Sequence, residues 1–116
     1  MTPHGQKYLF DIKRAIELVE EFVRDTPTFP AYQADLKTKS AVERQRGIIG
    51  EAVNHLRRVE PAAELANTKQ MVDFRNRLIH SYDNVNDTIV WAIVHNQLPA
   101  LKADVQQRLG ESSRHN

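Results

Sequence analysis

Between residues 73 and 84 the chain reads DFRNRLIHSYDN, which brings two arginines, a histidine and a tyrosine within eight positions. A guanidinium can hold a phosphate through two parallel hydrogen bonds, and an imidazole with an unperturbed pKa of about 6.5 can give or take a proton near neutrality. On an ideal helix at about 100° per residue, Val72, Phe74, Leu78, Ile79 and Tyr82 span an arc of roughly 160°, and Arg75 falls inside it. A guanidinium aimed that way needs an acidic group, a cluster of carbonyls, or a surface shared with a second chain and a ligand, because a buried unpaired charge is not tolerated. Asn76 and His80, four apart, share a face, whereas Arg75 and His80, five apart, diverge by about 140° on a straight helix. For both to serve one site, the helix must end or bend near Leu78, or a second copy of the chain must complete the site. Spacing alone equally allows a structural ion pair of Arg75 with Asp73 or Asp83, with His80 as a polar helix-end residue.

The elements that must position these residues read as helices. Leu9, Ile12, Ile16, Val19 and Val23 step by three and four, which predicts a first helix from about Gln6 to Asp25. Pro27 and Pro30 in TPTFPAY forbid its continuation and favour extended geometry in the residues before them. A longer second helix carries Leu36, Ala41, Val42, Ile48, Ile49, Ala52, Val53, Leu56 and Val59 and ends before Pro61. It starts near Asp35 or at the capping box of Ser40 and Glu43. Gly47 and Gly50 inside it suggest that another helix passes close to the backbone there. A third helix, capped by Asn67 or Thr68, carries the motif. After the turn-favouring DNVN, a last helix is marked by Val85, Ile89, Val90, Ile93, Val94, Leu98, Leu101, Val105 and Leu109, with Pro99 kinking or restarting it. No convincing strand or repeat appears, so the expected fold is all-α, an antiparallel bundle of four to five helices. A single domain over residues 1–116 is expected, with its core in about 6–109 and a frayed tail at 110–116.

Composition narrows the function classes. With 41% hydrophobic and 27% charged residues, the chain has the balance of a folded soluble domain. The absence of cysteine removes disulfides, thiolate metal sites and cysteine nucleophiles, and fits a reducing compartment, so the cytoplasm is the expected location. The N-terminus does not read as a signal peptide. The longest uncharged run, Thr88 to Leu101, falls short of the roughly 20 residues a spanning helix needs, so no membrane partner is expected. A net charge of +1 does not by itself argue for a polyanion partner. Glu51 and His55, four apart, could share a metal, but the paired Glu-x-x-His motifs of a carboxylate-bridged bundle site are missing, so no metal or other cofactor is expected. His4, His95 and His115 receive no role, and Ser81 belongs to no nucleophilic triad. Arg77, opposite Arg75, and Lys69 form a locally positive region that would track an RNA backbone or simply be solvated. Lys37, Lys39, Arg57 and Arg58 read as solvated.

FRNRLIHSYDNV, followed by IVWAI and LPAL, resembles the HEPN superfamily and most closely the HepT-type toxins that are paired with a small nucleotidyltransferase antitoxin, MntA. Their signature of Arg, four residues, His, one residue and Tyr is met by Arg75, His80 and Tyr82, with Asn76 as the polar residue after the arginine. GIIGEA, residues 47–52, resembles the second helix of that family, and the likeness extends over most of residues 6–109. A tryptophan often found shortly before the arginine is absent from NTKQMVDF. The resemblance implies a HEPN-like homodimer, possible higher assembly aside, whose motifs face one another in a cleft. It further implies metal-independent endoribonuclease activity on tRNA or mRNA through the ribose 2′-hydroxyl. Arg75, His80 and Asn76 would be catalytic, and the antitoxin would adenylylate Tyr82 to neutralise the toxin. The alternative is a non-catalytic HEPN-like module that binds nucleotides or a partner protein.

Overall fold

The computed structural model describes residues 2–62, 65 and 87–114, and for 111–114 the backbone alone. Every regular element among the described residues is helical. Helix α1 spans Pro3–Val23. It starts three residues before the expected Gln6 because Thr2 caps it, its hydroxyl accepting from the Gly5 N–H at 3.1 Å, and Pro3 needs no N–H in the first turn. It stops at Val23, two residues short of Asp25, where the Thr26 N–H closes back on the Val23 carbonyl at 3.0 Å ahead of Pro27.

The connection after Pro27 is not simply extended. A short helix, α2, runs Phe29–Ala34, capped by the Thr28 hydroxyl on the Ala31 N–H at 3.3 Å. Pro30 lies in its first turn, where a missing N–H costs nothing, so the proline that bars continuation of α1 also helps to start a new helix. Helix α3 spans Leu36–Val59. Its cap is Asp35, whose carboxylate accepts from the Thr38 N–H at 3.0 Å, which settles the start in favour of Asp35 over Ser40. At the other end, the Glu60 carboxylate accepts from the Thr2 N–H at 2.8 Å, so the start of α1 meets the end of α3 and the two are antiparallel. That hydrogen bond is the largest influence holding the Glu60 carboxyl below its ordinary value.

The last helical stretch is interrupted. Helix α4 covers Asp87–Ala92, a π-helical turn covers Ile93–Gln97, and α5 covers Leu98–Arg114. In the π turn the Leu98 N–H reaches the Ile93 carbonyl, five residues back, immediately before Pro99. A proline ring clashes with the carbonyl four residues behind it in regular winding, and the wider turn relieves that clash. The kink expected at Pro99 takes this form. Helix α5 continues through Gly110 to Arg114, beyond the Leu109 at which fraying was expected; a glycine weakens a helix without ending it. The Lys102 ammonium meets the Glu20 carboxylate at 2.8 Å, setting the early part of α5 beside the late part of α1.

The inner faces of these helices make one core. Leu9, Ile12, Ile16 and Val19 of α1 join Val42, Ile49, Val53 and Leu56 of α3 and Val90, Leu98, Leu101 and Val105 of the last stretch, all fully or almost fully buried. Burying such side chains contributes about 1.5–3 kcal/mol each. Some assigned stripe positions turn outward: Leu36 is 74% exposed, and Ile48, Val59 and Ile89 also reach solvent. Gly47 also departs from expectation, since a Cβ built there meets no described atom within 4 Å; Gly50 is buried. No helix among the described residues is long and apolar enough to cross a membrane. The architecture is an all-α antiparallel bundle, HEPN-like as expected.

Candidate functional site

The residues that the sequence assigns to chemistry, Arg75, Asn76, His80, Tyr82, Arg77 and Lys69, lie outside the described residues, as does the helix expected to carry them. The frame on either side is described. Upstream, α3 ends at Val59 and Leu65 is buried in the core. Downstream, the chain returns at Asp87, whose carboxylate meets the Lys39 ammonium of α3 at 3.1 Å. Both side chains are mostly covered, 21% exposed for Lys39 and 18% for Asp87, so Lys39 is not the solvated lysine that the sequence suggested. An acidic residue in the first turn of α4 also complements the positive end of the helix dipole.

One and two turns along α3 from Lys39 lie Glu43 and Arg46, and Arg46 is buried at 1% exposure. Sequence reasoning passed over this arginine, although the signal was there. Val42, Arg46, Ile49 and Val53 step by four, three and four, so Arg46 occupies a core position of the α3 stripe. Burial lowers its pKa to about 10, with Glu43 and then Tyr32 pulling the other way, and it stays cationic at neutral pH. Burial also pushes the Glu43 carboxyl above its ordinary value, Asp87 adding to that and Arg46 and Lys39 opposing it. The Tyr32 hydroxyl is raised too, by burial first and then by Glu43 and Asp87. Lys39, Glu43, Arg46 and Asp87 thus form a compact group of alternating charge where α3 meets the start of α4.

Beside this group sits an aromatic cluster. The Trp91 ring lies 5.3 Å from Tyr32 and 5.9 Å from Phe29, centroid to centroid, and 4.0 Å from His95. The His95 Nδ1 lies 2.9 Å from the Trp91 carbonyl, which can only accept, so Nδ1 carries the hydrogen and His95 braces the π turn. The histidine left without a role therefore has a structural one.

Glu51 and His55 do share a face, with Glu51 Oε1 3.8 Å from His55 Nε2. The His55 ring is stacked on Tyr8 at 5.4 Å, in a shallow cavity of about 240 Å³ also bordered by Lys7, Asp11 and Ile48. Among the described residues no group of three histidine, aspartate or glutamate side chains is arranged to hold a metal ion.

A bundle of this kind, with a motif of arginine, asparagine, histidine and tyrosine on the connection from α3 to α4, defines the class as HEPN-like. The family described as Ribonuclease HepT-like matches residues 12–108. The probable ribonuclease HepT of Thermococcus cleftensis is 38% identical over 111 residues, covering 92% of this chain and 97% of that protein. A Methanocaldococcus jannaschii protein provisionally named an RNase is 35% identical over 98 residues, covering 79% of this chain and 76% of its own length. A second such protein of that organism is 31% identical over 101 residues, covering 85% and 91%. No solved structure matches the chain. The chain belongs to the HepT-like ribonuclease family, as the motif suggested.

Proposed function

We propose that the chain is the toxin of a toxin–antitoxin pair and cuts RNA by metal-independent transesterification in a cleft between two copies of itself. The observation that carries this reading is the string Arg75-Asn76, three residues, His80, one residue, Tyr82, inside the span that matches the ribonuclease family. In the first step a base removes the proton of a ribose 2′-hydroxyl and the freed oxygen attacks the adjacent phosphorus. An acid then protonates the departing 5′-oxygen, leaving a 2′,3′-cyclic phosphate and a free 5′-hydroxyl. A neutral imidazole can take the proton and a protonated one can give it, and two-fold symmetry supplies His80 twice, one copy as base and the other as acid. Arg75 holds the phosphoryl oxygens as charge develops on them, and Asn76 orients the ribose or phosphate. Arg77 and Lys69 follow the RNA backbone, with affinity falling as salt rises.

Tyr82 is the regulatory residue. Adenylylation by a nucleotidyltransferase antitoxin would put bulk and negative charge two residues from His80, where substrate phosphate must sit. The test is RNA digestion in chelator with wild type and His80→Ala side by side. Wild type should yield 2′,3′-cyclic ends and leave a 2′-deoxy substrate uncut, and His80→Ala should lose on the order of 10²- to 10⁴-fold in rate. Full activity of His80→Ala, or cleavage of the 2′-deoxy substrate, refutes the mechanism.

A further inference from the structure

Resting on the reading that Arg75 and His80 carry the reaction, we infer that the Lys39–Asp87 ion pair positions the ribonuclease motif, acting through the downstream end of the segment that bears it. Asp87 is five residues beyond Tyr82 and seven beyond His80. Seven residues reach at most about 25 Å even fully extended, so a change in where Asp87 is held is passed to His80 through a short stretch of chain. The pair joins residues 48 apart in sequence, the first turn of α3 to the first residue of α4.

The surrounding packing cannot supply this placement alone. Helix α4 is six residues long and Val90 is its one fully buried residue among the described core. The helix runs on into the π turn and α5, and Trp91 packs on Phe29 and Tyr32, which sets the helix axis; apolar burial is non-directional, however, and leaves its first residue, Asp87, less constrained. A directed contact of 3.1 Å between a lysine and an aspartate removes that freedom. Glu43 and Arg46 extend the group: Glu43 is drawn to Arg46 and Lys39 and repelled by Asp87, so a shift of Asp87 is felt at Glu43 and through it at Arg46. A covered ion pair is weak evidence for added stability, since desolvation offsets much of its attraction, whereas its geometric demand remains. Lys39 and Asp87 are positioning residues, and they act through the placement of Arg75 and His80.

The test compares Lys39→Gln, Asp87→Asn, the reversals Lys39→Asp and Asp87→Lys, and the double reversal, all in the full chain. Cleavage of bulk tRNA and of a long single-stranded transcript is measured alongside thermal unfolding and Trp91 emission. A displacement near 1 Å can cost up to about 10²-fold in rate, so the single neutral variants should lose about 10-fold in kcat with KM changed less than about two-fold. They should remain folded at the assay temperature with the Trp91 emission of wild type, and the double reversal should recover most of the rate. Wild-type kcat in both neutral variants overturns the inference. So does a loss accounted for by unfolding at the assay temperature or accompanied by a changed Trp91 emission, and so does a double reversal no better than its single parents. His80→Ala in the same assay separates the two readings. If it cleaves at the wild-type rate, the site assignment falls and the positioning role with it; if it is inactive while the neutral variants are fully active, only the positioning role falls.

Discussion

Replacing Tyr32 with phenylalanine should stabilise the chain by about 1 kcal/mol. The Tyr32 side chain is fully buried, and its hydroxyl has no hydrogen-bond partner among the described residues. Burying such a group without compensation costs about 1–3 kcal/mol, and phenylalanine removes the cost while keeping the ring against Trp91. The small void left behind offsets part of the gain, which sets the net near 1 kcal/mol, or roughly 4 °C in the unfolding midpoint for a chain of this size. Trp91 is the sole tryptophan and touches Tyr32, so urea unfolding followed by its fluorescence reads the site directly. Protein concentration must be held fixed, because association would shift the apparent stability. The alkaline limb gives a second reading. A raised folded-state pKa means the folded chain keeps its phenolic proton where the unfolded chain has lost it, so stability falls as pH rises through the ordinary value of about 10. Tyr32→Phe should lack that part of the decline. A loss of more than about 1 kcal/mol with an unchanged denaturant slope would refute the reasoning, by showing that the hydroxyl makes a stabilising bond.

Two further outcomes follow from the helices. Gly47→Ala should raise stability by about 1 kcal/mol, since the new methyl meets no described atom; a lower calorimetric midpoint would mean that this face of α3 is covered. Asp35→Ala should lower the unfolding midpoint at pH 7 by removing the cap of α3, with little difference from wild type near pH 2. The hydrogen bond from the Thr38 backbone holds the Asp35 carboxyl below its ordinary value, so its contribution is present above that value and is lost as pH falls through the lowered one. Equal pH dependence of the two proteins would contradict this.

The bundle was legible because its main signal is periodic. Leu9, Ile12, Ile16 and Val19, like Ile49, Val53 and Leu56, announce a buried face by spacing alone, and all are buried. The ends are less legible, because caps depend on single residues: Thr2 with Pro3 starts α1 ahead of Gln6, and Thr28 with Pro30 starts a helix in a stretch whose prolines read only as a stop. Arg46 and Lys39 were missed for a different reason. Periodicity places a charged residue on a face but does not identify its counter-charge, and Asp87 reaches Lys39 only after the chain has folded back across 48 positions. Leu36 errs the other way, since helical phase at the first turn of α3 does not guarantee that another element covers it. The motif itself was found from residue types and family likeness, because no rule of spacing distinguishes a catalytic arginine from an ion-paired one.

The π turn at Ile93–Gln97 gives the last helical stretch one supernumerary residue. In α5, excising a residue ahead of Leu101 or Val105 would rotate everything after it by about 100° and turn them away from the core. Within the bulge, the lost residue is the one regular winding does not need, so the downstream face keeps its phase. Pro99 sets the condition, because the shortened turn would drive its ring into a carbonyl behind it. The segment can therefore be trimmed by one only if the proline is exchanged in the same step, a dependence between a length change and a letter change that neither alteration alone would disclose.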